Sequence, residues 1–191
     1  SLHIPADRFV LACVGRLAEE KNVEELLRFR ANLGPGYTLL LVGDGPDRKR
    51  LEGVAAGLGL EAPDVVFTGM IPAEQIADWY QLGDLFVSAS TSETQGLTYA
   101  EALAAGVPVL CRADPCLSGV VREGVNGWQY QDEGEFRKKL AIFQTQPHHW
   151  ESFQKTARAS AEEFSSVRFA ERVEAIYLEQ IQRNALRRIP A

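Results

Sequence analysis

Two glutamates, Glu93 and Glu101, stand eight positions apart in the segment SETQGLTYAEALAAG, residues 92–106. Glu93 falls in a loop after a short apolar run, and Glu101 in the second turn of the helix expected next. A carboxylate among Ala100, Ala102, Leu103 and Ala104 is costly to desolvate unless it is paired or hydrogen-bonded. Leu97 and Glu101, four residues apart, share a helix face. A vicinal diol such as a ribose could donate two hydrogen bonds to Glu101; alternatively, Glu101 caps a neighbouring loop or pairs with a lysine. The backbone N–H groups of Gln95, Gly96 and Leu97 open the helix and lack partners within it. With the helix dipole they form an anion site suited to a diphosphate. Gly96 allows the phosphate to approach closely, although a glycine at a tight strand-to-helix turn reads the same way.

A second charged segment, GRLAEEKN (residues 15–22), follows the first apolar run. Arg16 offers a fork of donors and Lys21 a point charge, both apt for phosphate; a solvated loop is the plainer alternative. No GxGxxG follows this strand, which argues against a nicotinamide dehydrogenase. No GxxxxGKS or GxxxxGKT is present, which argues against a P-loop nucleotidase. Ser88 and Ser90 lack the Gly-x-Ser-x-Gly frame of a hydrolase elbow.

These loops need a scaffold that brings them together. Apolar runs at Phe9–Val14, Tyr37–Val42, 65–68, Leu85–Ser88 and 107–111 read as strands buried on both faces. Between them, residues 23–33, 46–58, 73–82 and 96–105 carry helical spacing, with Pro46 suited to a first turn. A short helix at 117–123 and a turn at Asn126-Gly127 follow. Strands and helices alternating in this way specify an α/β fold, a Rossmann-like doubly wound parallel sheet with right-handed crossovers. Ligands bind such sheets at the carboxyl ends of the strands, so the functional loops are expected at 15–22, 43–46, 69–71 and 88–96. Three helices with no further strand are expected over 132–143, 150–164 and 167–181. Residues 1–145 thus read as the Rossmann-like α/β domain and 146–191 as C-terminal helices that pad it or reach toward another domain.

The chain of 191 residues has 26 acidic and 20 basic residues and a net charge of −6, which argues against a long basic tract for nucleic acid, so no nucleic-acid partner is expected. No apolar run approaches the roughly 18 to 20 residues of a membrane span, and no basic-then-apolar leader opens the chain. Cys13, Cys111 and Cys116, odd in number and sparse, read as reduced thiols of a cytoplasmic protein. No Cys-x2-Cys or paired Cys/His spacing exists, so no metal is expected. The sole methionine is Met70, so Ser1 is expected to be a boundary inside a longer chain rather than a processed end.

Together GRLAEEKN, LLLVGDGP, VVFTG, DLFVSASTSETQGLTYAEALAAGVPV and GVNG resemble the carboxyl-terminal, donor-binding domain of GT-B-fold glycosyltransferases, and more narrowly the retaining family 4 enzymes. The match runs from about Phe9 to Gly127, with a weaker echo in VRFAERVEAIYLEQI. SETQGLTYAEA followed by Asp114-Pro115-Cys116-Leu117 is also similar to bacterial diacylglycerol glucosyltransferases. The resemblance implies one half of a GT-B fold that takes a hexosyl group from a nucleotide-diphosphate sugar, with UDP as the expected nucleotide and a glycan or lipid as acceptor. It implies that Glu101 holds the donor ribose, and that Glu93 contacts the donor sugar and stabilises charge at the anomeric carbon. Arg16, Lys21 and the N–H groups of Gln95, Gly96 and Leu97 would neutralise the diphosphate, while Gly43 and Met70 border the base. It implies no cofactor and no metal, Arg16 and Lys21 supplying the charge. An amino-terminal Rossmann domain with the acceptor groove would be the partner, the final helix would pack on it, and the complete enzyme would touch the inner face of the membrane. Without that domain little or no transfer is expected. A GT-B-fold sugar-nucleotide epimerase or phosphorylase is the alternative, and a non-catalytic domain with a decayed site is a third reading.

Overall fold

Continuous apolar runs account for the sheet. The computed structural model describes residues 2–145 and 147–187, with the side chains of 2–143 and 151–184. The strands are β1 (Phe9–Val14), β2 (Tyr37–Val42), β3 (Val65–Gly69), β4 (Leu85–Ser88), β5 (Val109–Arg112) and β6 (Gly127–Tyr130). The helices are α1 (Val23–Ala31), α2 (Arg48–Gly57), α3 (Ile76–Gln81), α4 (Leu97–Ala104), α5 (Glu133–Thr145), α6 (Pro147–Ala161) and α7 (Ser166–Arg187). One six-stranded sheet has the order β3-β2-β1-β4-β5-β6, and every pairing in it is parallel. The chain leaves β3 at one edge and re-enters beside β1, so the winding direction reverses between β1 and β4. At such a switch point the loops following the two strands diverge and leave a crevice.

Alternation along each strand feeds two cores. Leu11, Leu39, Leu41, Leu85, Val87 and Leu110 face Leu26 and Leu27 of α1, Leu51 of α2, and Phe136 and Leu140 of α5. Val10, Leu40, Val42, Phe86, Val109 and Cys111 face Tyr80 of α3, Tyr99, Ala102 and Leu103 of α4, and Ala157 of α6. Burying a leucine or phenylalanine side chain contributes about 1.5–3 kcal/mol, so both faces of the sheet are held chiefly by this burial.

Three local expectations are corrected. β6 is a strand where only a turn was expected. Its opening Gly127 comes so close to β5 that a Cβ there would lie 2.3 Å from the Val109 carbonyl oxygen. Residues 117–123 form no helix. A single 3-10 turn, Pro115–Leu117, is capped by the Asp114 carboxylate, which accepts from the Cys116 N–H at 2.8 Å. Gly119 then adopts φ +90°, and Asn126 takes up the loop's backbone groups, accepting from Arg122 N at 2.7 Å and donating to Val120 O at 2.9 Å. The helix expected over 73–82 divides into a 3-10 turn, Ala73–Gln75, and α3.

α5 and α6 pack on the sheet: Trp128, Phe143 and Phe153 form an aromatic cluster with ring centroids 4.8–5.6 Å apart. α7 differs, because Val167, Phe169, Ile176, Tyr177, Leu178 and Ile181 remain exposed along it. The helix expected over 150–164 spans α6 and the 3-10 turn Glu162–Phe164; residue 146 lies outside the described residues.

Candidate functional site

The loops after β1, β2 and β3 are joined by backbone hydrogen bonds. Gly15 N–H donates to Val42 O at 2.9 Å, Gly43 N–H to Gly69 O at 3.1 Å, and Leu17 N–H to Asp44 O at 3.0 Å. The ledge they make depends on glycine at two points. Gly43 has φ +133°, and a Cβ there would sit 2.0 Å from the Gly15 carbonyl oxygen; a Cβ at Gly45 would sit 2.2 Å from that of Leu17. The loop after β4 docks on the opposite side, where Thr91 N–H donates to Glu20 O at 3.0 Å.

Arg16, Gly43, Met70 and Glu101 meet around one cavity of about 590 Å³, whose walls also include Val14, Ile71, Ile76, Tyr80 and Thr98. Arg16 is exposed and, among the described residues, makes no ion pair or side-chain hydrogen bond. Met70 is 79% exposed at the rim. Arg16 and Thr98 also border a small recess that contains Lys21 and Glu93. Gln95, Gly96 and Leu97 lie along a neighbouring groove of about 820 Å³ that shares Glu101 with the first cavity. The Leu97 side chain, 62% exposed, lines that groove and not the 590 Å³ cavity.

Gly96 is the N-cap of α4, with φ +63°, and no side chain caps the helix. Its first-turn N–H groups are therefore free of side-chain caps and lie at the crevice side of the sheet, where an anion would be favoured by hydrogen bonding and by the dipole.

The two acids sit in different surroundings. Glu93 is enclosed: Lys21 Nζ donates to its Oε1 at 2.8 Å, with side chains 25% and 8% exposed for Lys21 and Glu93. Tyr99 Oη lies 3.3 Å from the same oxygen and 2.8 Å from Ser88 Oγ. Tyr99 is the donor in both contacts, its one proton shared between Ser88 Oγ at the shorter distance and the Glu93 carboxylate, which only accepts when ionised. Ser88 Oγ in turn accepts from Ser90 N–H at 3.3 Å. Burial raises the Tyr99 phenol well above its ordinary pKa, so it holds its proton and can donate. Beside them, burial pushes the Cys13 thiol up to about 12, with Lys21 lowering it and Glu93 raising it. Glu101, in contrast, is exposed. Its carboxylate accepts one hydrogen bond, from Tyr80 Oη to Oε2 at 2.7 Å. Among the described residues Glu101 neither caps a loop nor pairs with a lysine.

Tyr80 and Tyr99 are contributors that spacing alone did not single out. Both lie at helical positions that also mark core aromatics, and both rings are in the core; only their hydroxyls reach the acids. Phe86 of β4 lies between them, 5.8 Å from the Tyr80 ring and 5.4 Å from the Tyr99 ring. Chemically, the arrangement offers cations and free amides for a polyanion, an outward carboxylate for hydroxyl donors, and an apolar slot beside both.

This is a Rossmann-like α/β domain of the kind that forms one half of a GT-B structure. The model of the family described as "Glycosyl transferases group 1" matches residues 1–160, and the chain belongs to that family. It is 32% identical over 187 residues to an alpha-monoglucosyldiacylglycerol synthase of Acholeplasma laidlawii, covering 96% of this chain and 46% of the relative. It is 34% identical over 177 residues to the Streptococcus pneumoniae protein of the same name, covering 91% and 40%. The chain thus spans under half the length of these curated relatives. Among solved structures it is similar to Anabaena HepE in complex with UDP and glucose, with 27% identity, TM-score 0.76, and 91% of this chain and 49% of that one covered. It is also similar to sucrose-phosphate synthase of Thermosynechococcus elongatus, with 27% identity, TM-score 0.82, and 95% and 47% covered.

Proposed function

We propose that this chain is the donor-binding part of a retaining glycosyltransferase, of the family 4 type, that moves a hexosyl group from a UDP-sugar to a lipid acceptor. The observation that carries the reading is the meeting of Arg16, Thr98 in the first turn of α4 and the outward Glu101 carboxylate around one cavity, with Gln95, Gly96 and Leu97 on the adjoining groove that shares Glu101. Arg16, Lys21 and the N–H groups of Gln95, Gly96 and Leu97 take the diphosphate. Glu101 accepts from the ribose hydroxyls, and the base lies in the slot bordered by Gly43 and Met70. Glu93 faces the sugar and stabilises positive charge at the anomeric carbon. The acceptor oxygen bonds to that carbon on the face from which the diphosphate leaves, the carbon–oxygen bond to the phosphate breaks, and the departing phosphate oxygen takes the acceptor's proton. No protein base is required on the opposite face.

UDP is favoured by the likeness to HepE, whose structure holds UDP and glucose. A lipid acceptor is favoured by the two relatives named as glucosyldiacylglycerol synthases. The exposed apolar face of α7 is the surface on which an amino-terminal, acceptor-binding domain would seat, and the complete protein would act at the inner face of the membrane. No described helix is long and apolar enough to cross a membrane.

The test is calorimetry of UDP, GDP and ADP with the wild type and with Glu101→Ala. Charge-assisted hydrogen bonds contribute about 1.5–3 kcal/mol each, so Glu101→Ala should weaken UDP by roughly ten-fold or more. Unchanged affinity rejects the ribose role, and tighter binding of GDP or ADP than of UDP rejects the choice of base.

A further inference from the structure

We propose that Tyr80 is the positioning residue of the nucleotide site, its buried hydroxyl holding the Glu101 carboxylate in the orientation a vicinal diol requires. The inference rests on the ribose reading of Glu101 above and adds to it the device that makes the acid selective.

Glu101 is an exposed glutamate on a helix, with three side-chain torsions free to turn in water. Left alone, it would sample many rotamers and lose that freedom when a ligand arrived. Among the described residues one side-chain hydrogen bond restrains it, the 2.7 Å bond from Tyr80 Oη to Oε2. Tyr80 itself cannot wander. Its residue is 1% exposed, and its ring lies against Phe86 at 5.8 Å and 47°. Phe86 belongs to the central sheet and packs edge-on to Tyr99 at 5.4 Å. The position of the Tyr80 hydroxyl is therefore fixed by α3 and β4, and it carries the rigidity of the sheet to a carboxylate on a different helix, 21 residues away in sequence.

The hydrogen-bond capacity agrees. A carboxylate has about four lone-pair directions. Tyr80 takes one on Oε2, which leaves Oε1 and the rest of Oε2 for two hydroxyls of a ligand in the cavity that Tyr80 and Glu101 both line. Burial, followed by the hydrogen bond and charge of Glu101, raises the Tyr80 phenol far above its ordinary pKa, so at working pH it donates. Packing alone would be served equally well by phenylalanine; the hydroxyl is what reaches Glu101.

The experiment measures UDP, 2′-deoxy-UDP and 3′-deoxy-UDP by calorimetry on wild type, Tyr80→Phe, Glu101→Ala and the double variant, with melting temperatures in parallel. Losing one net hydrogen bond of pre-orientation should weaken UDP roughly five-fold in Tyr80→Phe. The deoxy forms should lose much less, so that the preference for the intact diol shrinks. In the Glu101→Ala background, Tyr80→Phe should change nothing further. Glu101→Asp, which keeps the charge but withdraws the carboxylate from Tyr80, should reduce the same preference without touching the core. If Glu101→Ala weakens UDP while Tyr80→Phe leaves the preference unchanged, or lowers all three affinities alike, the positioning role is wrong and the ribose reading stands. If Glu101→Ala leaves UDP binding intact, the ribose reading fails and the positioning role with it.

Discussion

Replacing Lys21 by methionine removes the only cation bonded to Glu93 among the described residues, and the structure sets the size of the effect. The pair is 2.8 Å long, with Glu93 almost enclosed and Lys21 partly so. Breaking a fully buried pair by deleting one partner costs about 3–5 kcal/mol, because a bare charge stays behind; an exposed pair is worth less than about 1 kcal/mol. Lys21→Met should fall between, near ~2 kcal/mol. For a chain of this size that corresponds to a melting-temperature drop of roughly 4–8 °C. Glu93→Gln should cost less, since the amide oxygen can still accept from Tyr99 and Lys21 can turn toward solvent. The double variant leaves neither charge stranded, so it should be more stable than the sum of the single losses implies, by about 1–2 kcal/mol. Urea unfolding of all four proteins, followed by circular dichroism, measures that coupling. Strict additivity would refute the pairing and, with it, the view that Lys21 fixes Glu93 before any ligand binds.

Further outcomes follow from backbone packing and from burial. Gly43→Ala should destabilise severely and abolish nucleotide binding, because its Cβ would overlap the Gly15 carbonyl at 2.0 Å; Gly53→Ala, in α2 with open space around it, should stabilise by about 0.5–1 kcal/mol. Differential scanning fluorimetry separates the two, and similar melting temperatures would overturn the steric claim. Asp84→Asn should stabilise at neutral pH. Burial raises the Asp84 pKa, and the Val10 N–H bond at 2.7 Å lowers it only in part. The ionised form therefore costs stability above the unfolded-state value of about 3.9, and the cost vanishes once the carboxyl is protonated. The gain from Asp84→Asn should shrink as pH falls and disappear below about pH 4; a gain independent of pH in urea titrations would refute this origin.

Five strands were legible because each is an unbroken apolar run, as burial on both faces demands. β6 was not, because Gly127 and a partly exposed Gln129 interrupt the pattern, and what makes it a strand is the flat contact of Gly127 with Val109. The loop residues of the candidate site were legible because charges and glycines at strand ends stand out against an apolar background. The exposure of Glu101 was not legible: its neighbours along the chain are apolar, and hydropathy does not say which side of α4 is covered; this side faces the cavity. Tyr80 and Tyr99 were unreadable as site residues. Their spacing marks them correctly as core, and only three dimensions show that each hydroxyl emerges under a carboxylate.

β1 and β4 share two registered residue pairs, Leu11 with Leu85 and Ala12 with Phe86, whereas β1 and β2 share six. The cations are anchored on one bank of this narrow seam, and both glutamates on the other. Gly83 abuts Ala12 along it, a Cβ at Gly83 falling 2.5 Å from that of Ala12. Enlarging either residue would push the two banks apart as rigid blocks, so recognition would be lost by misalignment while every loop kept its own shape.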